Sequence, residues 1–318
     1  MATIRAGDMQ RKERSMDVSS VKKQMKPLRM DSTIPYPDQI VSYFSFYFLD
    51  IPCEHHFGIF ESQGYSLAAH VYKPKNPKGT VFFLHGYYDH TGTAHYLFRF
   101  LIESGYCVAA YDMPGHGLSS GKRASIPSFE LYAAVLNDFI SSCAPHLPEP
   151  CILMGHSTGC AASYEYLMNY TQNVFRRAIF LAPLVRSRYY HLSKIGYFLM
   201  SPFTERMPRW FRHSSHDKKF IEFHRKDPLG CRHFPMEWAK AFYAWTDKIS
   251  GYGMLSTPLT VIQGSKDDVV EWRYNKKYFE KKAAHLEYHT IKNAHHQLMN
   301  ENAPYRDRFF DVLKDSFR

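Results

Sequence analysis

No apolar run in this 318-residue chain reaches the ~18 residues that a helix needs to cross a bilayer, so the sequence offers no candidate spanning segment. Cysteine is scarce as well. Six in so long a chain (Cys53, Cys107, Cys143, Cys151, Cys160 and Cys231) make no disulfide framework. Three of them fall in apolar strand or helix segments, so the expectation is reduced core thiols in a cytoplasmic protein. The first residues are polar and basic without an apolar stretch, and they do not read as a secretory signal. No H-E-x-x-H occurs among the 18 histidines. Pairs such as His213/His216 and His295/His296 are more simply surface or loop residues than ligands, and neither a metal nor a cofactor is expected.

What is abundant is positive charge and aromatic side chains. The formal charge is +10 and aromatics make up 16% of the chain. Residues 1–30 hold eight Lys/Arg against three acidic residues. An excess of this kind favours nucleic acid, an anionic membrane surface or anionic substrates. No nucleic-acid module is recognisable, which leaves the last two. Residues 1–40 read as a basic extension, disordered or loosely helical over 1–35, and residues 41–318 as one domain. The cluster Tyr43-Phe44-Ser45-Phe46-Tyr47-Phe48-Leu49 is too short to span a membrane. It reads as a helix packed on the domain edge, with membrane contact as the alternative.

Residues 57–61 and 65–72, parted by Ser62-Gln63-Gly64, predict an antiparallel hairpin. From residue 80 onward short apolar strands alternate with helices: strands over 80–84, 106–111, 151–154, 177–181, 259–263 and 286–291, helices over 94–104, 128–143, 158–169, 271–284 and 303–317. That order predicts an α/β protein, a mostly parallel central sheet flanked by helices on both faces. In such sheets ligands bind at the carboxyl ends of the strands. The run 185–251 breaks the alternation. It mixes aromatics with thirteen Lys/Arg against six Asp/Glu between Leu184 and Ser250, and predicts a helical cap inserted over the strand ends. Most of its aromatics should pack on the domain. Some could line an acyl pocket, and a few cations could face a phosphate or a lipid surface.

The stretch around Gly155-His156-Ser157-Thr158-Gly159 carries the chemistry. It fits G-x-S-x-G, a strand that turns sharply into a helix with serine at the apex. Glycines two before and two after let the two backbones close on each other. The turn lifts the Ser157 hydroxyl above the sheet and leaves the Thr158 N–H at a helix start, suited to holding an oxyanion. A serine needs a base, and the base needs an orienting acid, in the chain order serine, acid, histidine. Asp267 lies just past the strand 259–263, with Asp268 as its rival. His296 lies just past the last strand, with His295 as its rival. The loop His85-Gly86-Tyr87 after the first buried strand is placed to give a second oxyanion donor, the backbone N–H of Tyr87.

Several segments together resemble one family: His85-Gly86-Tyr87-Tyr88-Asp89-His90, the stretch Tyr111-Asp112-Met113-Pro114-Gly115-His116-Gly117, the serine elbow, Gly264-Ser265-Lys266-Asp267, and His296-Gln297-Leu298-Met299-Asn300-Glu301. The chain is similar to α/β-hydrolases of the monoacylglycerol lipase–lysophospholipase, or serine aminopeptidase-like, group from about residue 57 to its C-terminus. The resemblance implies the α/β-hydrolase fold, a triad at Ser157, Asp267 and His296, oxyanion donors at Tyr87 and Thr158, and a mobile cap over an acyl pocket. Asp227-Pro228-Leu229 is similar to a segment that the family carries in its cap. The function expected is a serine hydrolase of carboxylic esters, on single-acyl lipids such as a monoacylglycerol or a lysophospholipid. Peripheral contact with an anionic membrane through the basic cap or the N-terminus is expected beside it. The alternatives are a proline iminopeptidase-like aminopeptidase, which would need an acidic cluster for the substrate amine, a generic short-chain carboxylesterase, and a non-catalytic binding module.

Overall fold

The computed structural model describes residues 16–31, 35–170 and 174–317. Ten helices and ten strands follow one another among these residues. They begin with α1 (Val18–Gln24), α2 (Asp38–Phe46), β1 (Glu54–Ser62), β2 (Tyr65–Lys73), β3 (Thr80–Leu84), α3 (His95–Glu103) and β4 (Cys107–Tyr111). The middle of the chain forms α4 (Phe129–Cys143), β5 (Cys151–His156), α5 (Thr158–Asn169) and β6 (Phe175–Leu181). An excursion follows, made of α6 (Tyr190–Met200), β7 (Arg206–Pro208), α7 (Lys218–Lys226), β8 (His233–Pro235) and α8 (Met236–Lys248). The chain returns with β9 (Leu259–Gly264), α9 (Trp272–Lys282), β10 (Leu286–Ile291) and α10 (Ala303–Asp315).

Eight strands form one sheet in the order β1-β2-β4-β3-β5-β6-β9-β10. The pairs β1/β2 and β2/β4 are antiparallel, and every other neighbour is parallel. Side chains alternate across a strand, and β3 shows the result. Phe82 and Leu84 join the cluster beneath α4, α5 and α8, while Val81 and Phe83 join the one beneath α2, α3 and α10. A sheet buried on both faces needs strands that are apolar throughout, and Thr-Val-Phe-Phe-Leu and Cys-Val-Ala-Ala-Tyr are fully buried. This is the mostly parallel α/β arrangement that the alternation predicted. All six cysteines are free, four of them buried.

The N-terminal lead departs from its expectation. Residues 1–15 and 32–34 lie outside the described residues, but residues 16–31 and 35–40 are folded onto the domain rather than disordered. Val21 of α1 and Ile40, Tyr43 and Phe44 of α2 are buried. The Leu28 N–H donates to Ile59 O at 2.8 Å and the Ile59 N–H to Lys26 O at 2.7 Å, so residues 26–28 run along the free edge of β1. Gly58 permits this approach, since a Cβ there would stand 2.6 Å from both Leu28 N and Lys26 O. Counting charge alone overlooked the apolar residues spaced between the lysines. Their burial offsets the ordering cost of the segment. The cluster over 43–49 is the packed edge helix and its exit.

Candidate active site

The sheet register brings the strand ends level. Leu84 of β3 pairs with Gly155 of β5, Gly155 with Phe180 of β6, Leu181 with Ile262 of β9, and Gly264 with Ile291 of β10. The loops that follow β3, β5, β9 and β10 therefore leave from one edge, and these four loops hold Tyr87, Ser157, Asp267 and His296.

Ser157 stands between β5 and α5 with φ 52° and ψ −111°. That is a costly conformation for a residue with a Cβ, and it persists because the surroundings force it. A Cβ on Gly155 would lie 2.6 Å from Cys160 N, and one on Gly159 would run into the carbonyl of Leu84. Both glycines of the motif are thus required by backbone approach. Ser157 is 6% exposed. The amide N–H groups of Thr158 and Tyr87 have no backbone acceptor among the described residues. The Tyr87 side chain is turned away into the domain, stacked on Trp238 of α8 at 4.0 Å with its hydroxyl donating to Ala124 O at 2.7 Å.

His296 Nδ1 lies 2.7 Å from Asp267 Oδ2. An ionised carboxylate only accepts, so Nδ1 carries the proton and Nε2 is left with a lone pair. Asp267 is buried, and its other contacts are the N–H groups of Val269 (2.8 Å) and Val270 (3.0 Å) and the Gln263 amide (2.9 Å). Burial alone would raise the pKa of this carboxyl. The His296 charge and hydrogen bond, with the Val270 and Gln263 donors, outweigh that and hold it below the ordinary value of 3.8. His296 sits against the elbow: its ring centroid is 4.9 Å from that of His156, whose Nε2 is 3.2 Å from the His296 carbonyl. No hydrogen bond joins the Ser157 hydroxyl to His296 among the described residues, a bond that commonly tightens only when substrate arrives.

The rivals go elsewhere. Asp268 is half-buried and paired with Arg188, and its carbonyl accepts from Arg212. The His295 ring faces His216 at 4.4 Å, away from Asp267.

Reading for a triad missed the layer behind it. Asp89, buried, has His156 Nδ1 at 3.3 Å, the Gln297 amide at 2.9 Å and His224 of α7 at 3.4 Å. Burial pushes its carboxyl up, and the His156 hydrogen bond and the charges of His224 and His156 pull it further down, so it is held well below the usual range. Asp227, in the cap, accepts from His90 Nε2 at 2.9 Å and from the Tyr47 hydroxyl at 2.6 Å. Asp89, His90 and Asp227 all stood in motifs quoted for the family resemblance. The signal was present, but spacing alone assigned it no contact. Among the described residues no group of three or more His, Cys, Asp or Glu could hold a metal ion, and no helix is long and apolar enough to cross a membrane.

The comparisons bear on the family and the fold. A family model described as serine aminopeptidase, S33, matches residues 75–303. The chain belongs to that family of α/β-hydrolases. Phospholipase YtpA of Bacillus subtilis is 23% identical over 253 residues, covering 77% of this chain and 96% of its own length. The monoglyceride lipase of Rattus norvegicus is 33% identical over 104 residues, 32% of this chain and 34% of that protein. Several matches are partial in this way, and an abhydrolase domain-containing protein of Dictyostelium discoideum is spanned over 26% of its length. Among solved structures, a soluble variant of monoglyceride lipase from Saccharomyces cerevisiae in complex with a substrate analog superposes with a TM-score of 0.72 at 16% identity, covering 91% of this chain and 97% of that one. At that identity the likeness bears on the fold alone.

Proposed function

We propose that this chain, a carboxylic ester hydrolase of the monoglyceride lipase type, hydrolyses single-acyl lipids through an acyl-enzyme on Ser157. The observation that carries the reading is the Asp267–His296 pair at 2.7 Å, set against the strained turn that presents Ser157. His296 Nε2 takes the Ser157 proton as Oγ attacks the ester carbonyl. The new oxyanion is held by the N–H groups of Thr158 and Tyr87, and losing one such donor typically costs about 3 kcal/mol in the transition state. His296 then gives its proton to the leaving alkoxide, and the alcohol departs. Water enters, loses a proton to His296, attacks the acyl carbonyl and releases the fatty acid, and the proton returns to Ser157. Asp267 stays ionised throughout, orienting the imidazole and stabilising its charged form.

A partner follows from the cap. Leu192, Ile195 and Leu199 fall on one side of α6 at helical spacing and are exposed, with Phe203 and Trp210 beyond them. Exposed Arg206, Arg212, Lys218 and Lys219 lie in the same region of the chain. An apolar stripe with cations nearby suits an anionic membrane surface, where single-chain lipids reside.

The test is fatty-acid release from a monoacylglycerol, a lysophosphatidylcholine, a diacyl lipid and a short aryl ester, with Ser157→Ala as control. Turnover of the single-chain lipids that disappears in Ser157→Ala is expected. Activity on the aryl ester alone would replace this reading with a generic esterase. Preference for amino-acid arylamides would replace it with an aminopeptidase.

A further inference from the structure

Glu301 is fully buried, and its hydrogen bonds among the described residues go to none of the residues assigned to the reaction. Its carboxylate instead gathers backbone donors from two separate parts of the chain. Oε1 accepts the His295 N–H at 2.7 Å, the amide immediately before His296. Oε2 accepts the His216 N–H at 2.7 Å, and His216 Nδ1 lies 3.1 Å from both oxygens. His216 belongs to the cap, in the strap between β7 and α7. A second tie crosses the same gap on the other side of His296, where the Gln297 N–H donates to Ser214 O at 2.8 Å. The Ser215 hydroxyl adds a third, donating to Asn300 O at 2.8 Å. The His296 backbone is thus bracketed by contacts to one cap strap, and a single carboxylate forms the bracket on the His295 side.

We infer that Glu301 is a positioning residue that fixes His296 and ties its loop to cap residues 214–216, so that the cap and the base are set in place together. The inference rests on His296 being the base of the reaction proposed above. The physical reason is the count of donors. Three backbone N–H groups (His295, His216 and, at 3.3 Å, Asn302), an imidazole and the Ser215 hydroxyl at 3.4 Å converge on one buried group, which only an acceptor on both oxygens can satisfy. An amide supplies one acceptor oxygen and turns an NH2 toward a donor, leaving a buried N–H unpaired. Misplacing a catalytic group by about 1 Å can cost a hundredfold in rate.

The experiment compares wild type, Glu301→Gln and Glu301→Asp by hydrolysis of a soluble short aryl ester, with active sites counted by a fluorophosphonate. In Glu301→Gln the turnover per titrated site should fall roughly ten- to a hundredfold with KM nearly unchanged, and Glu301→Asp should recover part of it. A merely structural role would lower the fraction of titratable sites and leave the turnover of each one intact, and that result overturns the proposal. Amide hydrogen exchange supplies a reading independent of catalysis. Peptides covering 214–217 and 294–298 should both exchange faster in Glu301→Gln, and acceleration of only one would sever the proposed link. Should Glu301→Gln not fold, the double variant Ser215→Ala/His216→Ala must raise exchange at 294–298, where it changes no residue; no rise there refutes the coupling. If Ser157→Ala hydrolyses the ester as fast as wild type, the reaction assignment falls, while the exchange data still decide whether Glu301 joins the two segments.

Discussion

Two helices of the 185–251 excursion, α6 and α8, are both rich in aromatic side chains and have opposite fates. In α8, Trp238, Phe242 and Trp245 are buried, Trp238 stacking on Tyr87 and Trp245 on Phe129 of α4. Its far end is bolted to α5: buried Glu165 accepts from Trp245 Nε1 at 3.0 Å, Lys248 Nζ at 2.7 Å and the Tyr252 hydroxyl. In α6 only Tyr190 is buried. One stripe, Tyr190, Lys194 and Tyr197, meets α8 through the Tyr190–Thr246 hydroxyl contact at 2.7 Å, the Lys194–Asp247 pair at 2.8 Å and the Tyr197–Tyr243 rings. The opposite stripe has no protein cover. Of the eleven large hydrophobic side chains exposed among the described residues, eight fall between Tyr189 and Trp210. The difference separates two jobs that composition blends. Apolar residues in α8 hold the cap on the domain and support the Tyr87 loop. Those in α6 contribute little to folding and leave an apolar face turned outward.

The comparison breaks most visibly in stability. Trp245→Ala should cost about 3–5 kcal/mol by denaturant unfolding, since it empties a fully buried site and strands part of the Glu165 carboxylate. The double variant Leu192→Ser/Leu199→Ser should change stability by less than about 0.5 kcal/mol. It should instead reduce cosedimentation with anionic vesicles severalfold, leaving turnover of a soluble ester unchanged. Equal losses of stability from the two helices would erase the distinction.

Protonation gives a smaller and slower effect. Burial pushes His116 down to about 3, and lowers His85 and His70 as well. These side chains stay neutral in the fold while the unfolded chain takes up protons below 6.5. The His116 contribution should therefore be constant above that pH and fall as pH drops from 6.5 toward 3, by about 1.4 kcal/mol per pH unit, with His85 and His70 acting in the same direction. His90, raised by Asp227 against the burial that lowers it, works the other way: its contribution is full below 6.5 and lost as pH rises through its folded value. Thermal melts between pH 5 and 8 should show the net acid-side loss, and His116→Asn should flatten it. A melting temperature that rises on acidification would contradict the burial argument.

The strand ends were legible in the sequence because each is marked locally. Two glycines that backbone contacts require flank Ser157, an apolar run leads into each of Ser157 and Asp267, and a mixed strand ending in buried Ile291 leads into His296. Periodicity cannot choose between adjacent residues in a loop, so Asp268 and His295 remained rivals until their contacts with Arg188 and His216 set them apart. The run 185–251 was legible only as an interruption. Which of its aromatics turn inward depends on α4 and α5, far away in the chain. The lead failed for a related reason: Val21 and Leu28 are isolated apolar residues among charges, and their value comes from a sheet edge formed thirty residues later. Glu301 stood in a quoted motif, but nothing local pointed to its distant partner His216.

The central claim is that Ser157 is a nucleophile activated by His296 and Asp267. The most direct measurement is intact-mass and peptide analysis after exposure to a fluorophosphonate. The account predicts one adduct, located on Ser157, absent in Ser157→Ala and formed at least about a hundredfold more slowly in Asp267→Asn, where the imidazole loses its oriented tautomer. An unmodified protein, or labelling that persists in Ser157→Ala, would contradict it.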